Sequence, residues 1–506
     1  MKTLASYDAI PYESIPITET HVDGLAALGR LFGVSTADPR RCRVLELGCA
    51  EGGNLLPMAF YLPDSEFVGI DLSARQVADG RRLVAELALG NITLLHRDVT
   101  DGADDLGRFD YIIAHGLYSW VPAPVRERLL ALCATNLAPD GIAYLSWNAL
   151  PGWHTRAIMR DMLRHHTREA SDARVRLDMA YLFLEEYGAA LAAEAGDLAP
   201  ILEAEVEYLK QAPPSYLYHE YLTETNEPML FSDFMTQARG HGLRYVADVD
   251  LHTLLPETLG QAAGQVAAEI DEREARIQAM DFMRARRFHR SLLTHAATPV
   301  HDVPDLAVLR TLAFHADLSS DAEIDLRSPA AQPFVTATGS RYAVKHPLAK
   351  AAAMWLTARY PGGVAYAELY QAAAGIVATH GDAALATEED ALAGELLDLL
   401  AWGGVRVALD ATPRANEPPA RPRAHALARA QLKHGGDCVA SVRHTAVHLD
   451  EAGAHLLALL DGQRDLDALV MAMRARLDPS LDPASIRDGC ERLLWTFARN
   501  GLLETS

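Results

Sequence analysis

The chain has 506 residues, 49% of them hydrophobic and 23% charged, and carries a formal net charge of −22. These proportions are those of a soluble globular protein, and the length exceeds what one core organises, so about three or four domains are expected. The acidic balance argues against a nucleic-acid partner, because phosphate contacts need a basic face, and no run approaches the roughly 18 apolar residues of a membrane span.

The first residues, Met1–Asp8, lack the apolar centre of a signal peptide. Five cysteines (Cys42, Cys49, Cys133, Cys438 and Cys490) form no C-x-x-C pair and are odd in number. That pattern fits reduced thiols in a cytoplasm and disfavours zinc. His165 and His166 are adjacent, so a helix cannot aim both at one metal; a solvated surface is the simpler reading, and no metal is expected.

Tyr7-Asp8-Ala9-Ile10-Pro11-Tyr12 precedes a short helix from about Thr20 to Phe32. Val44–Leu47 is a short apolar run of the kind a buried parallel strand needs. It breaks into Gly48-Cys49-Ala50-Glu51-Gly52-Gly53-Asn54, and Leu55–Leu62 then reads as a helix. Glycines in such a turn let the backbone bend sharply and approach a ligand closely. The loop is not G-x-G-x-x-G, and it lacks the Gly-Lys-Ser/Thr ending of a phosphate loop.

Phe67–Ser73 is a second strand, whose acid Asp71 lies 25 residues after Glu46, near the spacing of a ribose-binding carboxylate. Ile92–Leu95 is a third strand, followed by Arg97-Asp98-Val99; Phe109–Gly116 is a fourth. Gly141–Trp147 is a fifth, entered through the Pro139-Asp140-Gly141 turn. Each acid taken singly could be a helix N-cap. Together, an acid within the first strand and Gly-Cys-Ala-x-Gly-Gly after it resemble motif I of the class I S-adenosylmethionine (SAM) methyltransferases. The fold class expected is therefore α/β: a Rossmann-like class I methyltransferase sheet with a helical insertion, followed by mostly helical and winged-helix-like domains.

Two loops leave the carboxyl ends of central strands, where open α/β sheets bind ligands. They are His115-Gly116-Leu117-Tyr118-Ser119-Trp120-Val121-Pro122 and Trp147-Asn148-Ala149-Leu150-Pro151-Gly152-Trp153-His154. They read as a substrate mouth, with aromatic packing beneath the next helix as the plainer alternative. From Thr155 to Lys210 the pattern is helical, with Tyr181, Leu182, Leu184, Tyr187 and Leu191 at spacings of three and four. Gly242–Val249 then reads as a further strand of the same sheet, so 155–212 is a helical insertion within the catalytic domain.

His219-Glu220-Tyr221-Leu222 and Asn226–Phe231, with Leu45–Asn54, Gly69–Ser73, His115–Pro122 and Asn148–His154, resemble the bacterial methyltransferases that carry a methyltransferase regulatory domain. Among these are the rickettsial protein lysine methyltransferases. The resemblance implies a cofactor, SAM, with contacts from Tyr12, Glu46, Gly48, Cys49, Gly53, Asn54, Asp71, Leu72, Asp98, Val99 and His115. In this reading Glu46, Gly48, Cys49, Gly53 and Asn54 surround the amino-acid end, Asp71 takes the ribose and Asp98 the adenine. The N-terminal aromatic segment either covers the cofactor or is a strap packed on the surface.

Further on, Leu254–His295 reads as helical, and its basic run Arg284–Arg290 as a solvated helix face. Ala296–Asp305 and Arg327–Thr338 read as looser segments, and 345–408 as helical again. Ala411–Pro422 carries Pro413, Pro418, Pro419 and Pro422, a semi-rigid linker beside the basic patch Arg421–Lys433. His444–Leu503 holds short elements ending in a helix from Ile486 to Phe497, winged-helix-like by the resemblance. The domains expected are 1–255 (catalytic, with the 213–295 signature overlapping its end), 256–410 (middle, helical, regulatory), 411–424 (linker) and 425–506.

Methyl transfer is an in-line displacement that orientation and a dry, preorganised site accelerate. A lysine acceptor must arrive neutral although its free pKa is about 10.4. Tyr118 and His154 are the candidate proton acceptors, and Trp120 and Trp153 the walls that hold the amine. Equally, either polar side chain could simply hold its loop. Lysine methylation of a protein leads; a small-molecule O-, N- or C-methyltransferase and a non-catalytic SAM-binding regulator are the alternatives. A homodimer in the cytoplasm, with a protein or small-molecule acceptor and no nucleic acid, completes the expectation.

Overall fold

The structure, a computed structural model, describes residues 9–412, 414–476 and 482–505. Tyr7 and Asp8 of the aromatic segment and Pro413 of the linker lie outside the described residues. Helix α1 (Val22–Leu31) leads into a seven-stranded sheet. Its strands are β1 (Arg43–Leu47), β2 (Glu66–Asp71), β3 (Ile92–His96), β4 (Phe109–Ala114), β5 (Leu137–Asn148), β6 (Leu243–Asp248) and β7 (Phe288–His295). The order is β3-β2-β1-β4-β5-β7-β6, with β7 antiparallel to both neighbours and the first five strands parallel.

The parallel strands are apolar on both faces because helices cover both. Val44, Tyr111, Ile113 and Tyr144 pack toward α1, α2 (Leu55–Tyr61) and α3 (Ala74–Glu86). Leu45, Ile112, Leu145 and Trp147 pack toward α4 (Ala123–Asn136), and the connection from β5 to β6 contains the helical insertion. Its helices α5 (Trp153–His166), α6 (Ala173–Glu186) and α7 (Ala199–Gln211) enclose a core of their own, including Met159, Leu163, Leu184, Val206 and Tyr221. A π-helical turn, Tyr218–Leu222, closes that core before α8 (Phe231–Gly240) returns to the sheet.

The expected helix through His295 is corrected. Helix α9 (Arg273–Arg284) ends at Ala285, whose φ of +46° stops it, and Phe288–His295 enters the sheet. The basic run is not a solvated face: Arg286 and His289 are buried. His289 lies flat on Trp147, ring centroids 4.2 Å apart, with Nδ1 2.7 Å from Asp248 and Nε2 2.9 Å from Asp281. The guanidinium of Arg286 pairs with Asp248 at 3.0 Å and Asp281 at 3.5 Å. The Arg286 guanidinium is tolerated beside this strand because it has buried carboxylate partners, and the His289 ring within it because both of its nitrogens are hydrogen-bonded.

The middle region combines small sheets with helices. One sheet joins β8 (Ala313–His315) to two short strands, and another runs β9 (Leu318–Ser319), β10 (Gln332–Thr336) and β11 (Arg341–Val344). Part of the segment expected to be loose, Arg327–Thr338, is thus paired strand. Helices α10 (Pro347–Arg359), α11 (Tyr366–His380) and α12 (Glu389–Ala401) follow, with β12 (Val364–Ala365) and β13 (Arg406–Ala408) flanking β8. The C-terminal region has α13 (Ala426–Lys433), a hairpin of β14 (Cys438–Ala440) and β15 (Ala446–His448), then α14 (Glu451–Leu459), α15 (Leu466–Arg474) and α16 (Pro483–Arg499). Leu456, Leu469, Leu494 and Phe497 centre its core. At the end of the second basic patch, Lys433 and its neighbour His434 both reach Glu86 of α3 at 2.7 Å.

Among the described residues, no helix is long and apolar enough to cross a membrane, and no three His, Cys, Asp or Glu side chains form a metal-binding group.

Candidate cofactor and acceptor site

The glycine-rich loop folds over the end of β2. Gly48, with φ of +78°, donates its N–H to the Ile70 carbonyl at 2.8 Å, and Gly52 repeats the left-handed backbone at +81°. The buried Cys49 thiol fills the space that Gly69 leaves: a Cβ there would lie 2.6 Å from Sγ. Gly53 is required for another reason. A Cβ on it would stand 1.9 Å from the Ser14 carbonyl oxygen, because the N-terminal strap lies directly on this loop. The Gly53 N–H donates to Ser14 Oγ at 2.8 Å, fastening the strap.

Glu46, one residue before the carboxyl end of β1, is 3% exposed. Its Oε1 accepts from Asn54 Nδ2 at 2.7 Å, whereas Oε2, equally buried, has no hydrogen-bond partner among the described residues. Burial pushes its pKa up to about 7, against the hydrogen bond from Asn54, with the neighbouring Asp71 adding to the rise. A buried carboxylate oxygen without a donor is the feature that a cationic ligand group would complete. At the adjacent strand end, Asp71 accepts from the Ala50 N–H and the Ser73 N–H, each at 2.8 Å. Those bonds orient the carboxylate at the end of β2, beside the glycine loop. Leu72 is exposed at the rim, Val99 is half-buried, and Asp98 accepts from the backbone N–H and hydroxyl of Thr100 at 2.8 and 2.7 Å. These carboxylate acceptors fit a ligand whose donors are an ammonium, ribose hydroxyls and an adenine amino group, as in SAM.

At the mouth, the predicted residues separate. Trp120 and Trp153 meet edge to face, centroids 6.2 Å apart. Arg160 lies over Trp120 at 5.9 Å and Arg156 over Trp153 at 5.8 Å. Tyr118 is not with them. It is fully buried beneath α8, edge-on to Phe234 at 5.4 Å, and its hydroxyl donates to Gln237 Oε1 at 2.8 Å. His154 is exposed on the first turn of α5. His115 is half-buried, its Nδ1 2.9 Å from the Tyr144 hydroxyl. Burial, reinforced by Arg290, lowers its pKa to about 4, so the ring is neutral at pH 7.

Glu220 belongs to the site as well, although its sequence context points to no role for it. It lies on the π-helical turn, accepts from the Tyr12 hydroxyl at 3.1 Å, and its backbone carbonyl accepts from Arg160 at 2.7 Å. Tyr12 stacks on His219 at 4.6 Å, so the strap over Gly53 is anchored at this turn. Burial raises the Glu220 carboxyl to about 7, although the Tyr12 hydrogen bond, Arg156 and Arg160 oppose the rise. A π-turn is itself a signal of function, but local sequence does not encode it legibly. The turn also touches the mouth, Tyr221 lying 6.4 Å from Trp153. Asn148 donates to Asn226 at 2.9 Å and Ser119 accepts the Glu227 N–H at 2.9 Å, tying both mouth loops to the segment after the turn.

Three family models match the chain: a methyltransferase domain over 44–141, a predicted methyltransferase regulatory domain over 213–295, and the PKMT C-terminal winged helix domain over 420–480. An uncharacterised protein of Rickettsia prowazekii is 38% identical over 289 residues, 57% of this chain and 52% of that protein, so the match spans about half of that relative's length. A second uncharacterised protein of the same organism is 32% identical over 234 residues, which are 46% of this chain and 94% of that relative. The structure of PKMT2 from Rickettsia typhi in complex with AdoHcy is 23% identical, with a TM-score of 0.85 over 97% of this chain and 100% of that one, which shows a shared fold from end to end. With the glycine loop, the acid in β1 and the acid ending β2 in place, the chain belongs to the bacterial class I SAM-dependent methyltransferases that carry a methyltransferase regulatory domain.

Proposed function

We propose that this enzyme transfers methyl groups to lysine side chains of a protein. The observation that carries the reading is Glu220, a half-buried carboxyl raised to about 7, on a turn that borders Trp153, which in turn meets Trp120, at the carboxyl edge of the sheet. A lysine ammonium entering such a site must give up its proton before it can act as a nucleophile, and a carboxylate poised near pH 7 is suited to take it. Trp120 and Trp153 would bound the path of the amine, with Arg156 and Arg160 bracing the two rings. The match in fold to PKMT2 and the PKMT winged-helix model support the same acceptor class.

When bound, SAM supplies the electrophilic methyl group. In this reading Glu46, Gly48, Cys49, Gly53 and Asn54 hold its amino-acid end, Asp71 the ribose, Asp98 with Val99 and Leu72 the adenine edge, and Tyr12 and His115 flank the reacting end. The strap through Tyr12 and Ser14 would exclude water from one side. Tyr118, with its hydroxyl occupied by Gln237, acts as a packing residue, and His154 as a rim residue. The catalytic unit runs past the expected boundary at 255 to His295, because β7 lies between β5 and β6 in its sheet; 296–410, 411–424 and 425–506 follow it as middle region, linker and C-terminal region. A homodimer through the helical insertion is proposed with it, supported by Val175, Leu182, Leu198 and Tyr208 exposed there.

The test is incubation of the purified enzyme with methyl-labelled SAM and a lysate, followed by separation of protein from small molecules. Label in the protein fraction is expected; label confined to small molecules would replace this reading with that of a small-molecule methyltransferase.

A further inference from the structure

The hairpin between β14 and β15 is remote from the cofactor loop in sequence but touches it in space. Its tip, Ser441–Thr445, is closed by the Ser441 N–H to the Thr445 carbonyl and the His444 N–H to the Ser441 carbonyl, both at 3.0 Å. His444 takes a left-handed backbone, φ +56°, and is 2% exposed. The strain of that conformation in a residue other than glycine is held by tertiary contacts. Its carbonyl accepts from Thr18 Oγ1 at 2.9 Å, and its Nε2 lies 2.7 Å from Asn54 Oδ1.

The orientation of the Asn54 amide can be read without ambiguity. Oδ1 lies 2.8 Å from the Ile17 backbone N–H, which can only donate, so that atom is an acceptor. His444 Nε2 must therefore carry the hydrogen, and the Asn54 NH₂ faces Glu46 Oε1 at 2.7 Å. Burial, with the His21 ring beside it, keeps the His444 imidazole neutral, consistent with a single N–H placed on Nε2. The result is a buried line of three side chains, His444 to Asn54 to Glu46, joining the C-terminal hairpin to the acid of the cofactor motif.

We propose that His444 is a positioning residue of the cofactor site: it fixes the Asn54 amide so that Glu46 keeps Oε1 engaged and presents Oε2 to the ammonium of SAM. The C-terminal domain thereby contributes to cofactor affinity, and by linkage the cofactor stabilises the docked hairpin. This rests on the reading that Glu46 and Asn54 hold the amino-acid end of SAM, and the test separates the two.

S-Adenosylhomocysteine is titrated calorimetrically into the full-length parent and the His444→Ala, His444→Gln and Glu46→Gln variants. His444→Ala is expected to weaken binding about tenfold. His444→Gln, whose amide can still donate toward Asn54, recovers most of the loss. A purely structural role would lower the melting temperature of the alanine variant without changing affinity. In the parent, S-adenosylhomocysteine is expected to slow amide exchange across 438–448; this readout needs no variant to fold. Parent affinity in a folded His444→Ala variant, with Glu46→Gln weakened, overturns the role of His444 and leaves the site standing. Unchanged exchange across 438–448 on binding overturns the coupling. Parent affinity in Glu46→Gln overturns the cofactor reading and this inference with it.

Discussion

Cofactor binding should depend steeply on pH, and the dependence should run through Glu46. In the protein without cofactor this carboxyl titrates near 7, mainly because it is buried. Its pKa is raised, so below 7 the folded protein holds a proton that the carboxylate must release before it can pair with an ammonium. The favourable pairing is therefore present above about pH 7 and lost as the pH falls. From a pKa of about 7, roughly one molecule in a hundred is ionised at pH 5 and about nine in ten at pH 8, so affinity should fall about 100-fold between them, near 2.7 kcal/mol. Calorimetric titration with S-adenosylhomocysteine in buffers of different ionisation enthalpy reads both the affinity and the protons released. At pH 6 nearly one proton should leave per molecule bound. Glu46→Gln should weaken binding at pH 8 and flatten the profile. A profile that is flat from pH 5 to 7 in the parent, or equally steep in Glu46→Gln, would refute the reasoning.

Glu220→Gln should leave S-adenosylhomocysteine affinity nearly unchanged while methyl transfer falls about 10²-fold or more, and the parent kcat/KM should rise with pH through about 7, where its carboxyl ionises; a variant with the parent profile removes Glu220 from proton transfer. Gly53→Ala places a Cβ 1.9 Å from the Ser14 carbonyl, so the strap should lift and become cleavable in limited proteolysis, at a cost of about 1–3 kcal/mol; an unaltered cleavage pattern would contradict the contact. Asp248→Ala strips buried Arg286 and His289 of a shared partner and should destabilise the fold by about 3–5 kcal/mol, read as a lower urea midpoint; a loss below about 1 kcal/mol would count against a structural ion network. Tyr118→Phe should keep kcat within about twofold, since its buried hydroxyl donates to Gln237; a large loss of rate would return Tyr118 to the chemistry.

The parallel half of the sheet was legible because its strands are buried on both faces, so Val44–Leu47 and Phe109–Ala114 appear as short, mostly apolar runs that break at Gly48 and at His115-Gly116. Strand β7 was not. Arg286, His289 and Arg290 put polar side chains into and beside it, and the carboxylates that partner them, Asp248, Asp250 and Asp281, arrive from other elements. The glycine loop and Asp71 could be found from spacing, since their roles follow from local backbone geometry. Glu220 could not be assigned a role from sequence, because its raised pKa depends on burial beside Tyr12, 208 residues earlier. Aromatic content also misled: Tyr118 and Trp120 are two residues apart, yet the 3₁₀ turn Tyr118–Trp120 sends one ring under α8 and the other to Trp153. The pairing of His444 with Asn54 spans 390 residues and exists only in the folded chain.

The claim of lysine methylation is tested most directly by the chemical identity of the product. After transfer from methyl-labelled SAM, the labelled protein fraction is hydrolysed to amino acids and separated against methylated standards. The label is expected to run with methyl-lysine, and to fall about 10²-fold when Glu220→Gln replaces the parent. Label in methyl-arginine, in base-labile methyl esters, or only in small molecules would contradict the claim.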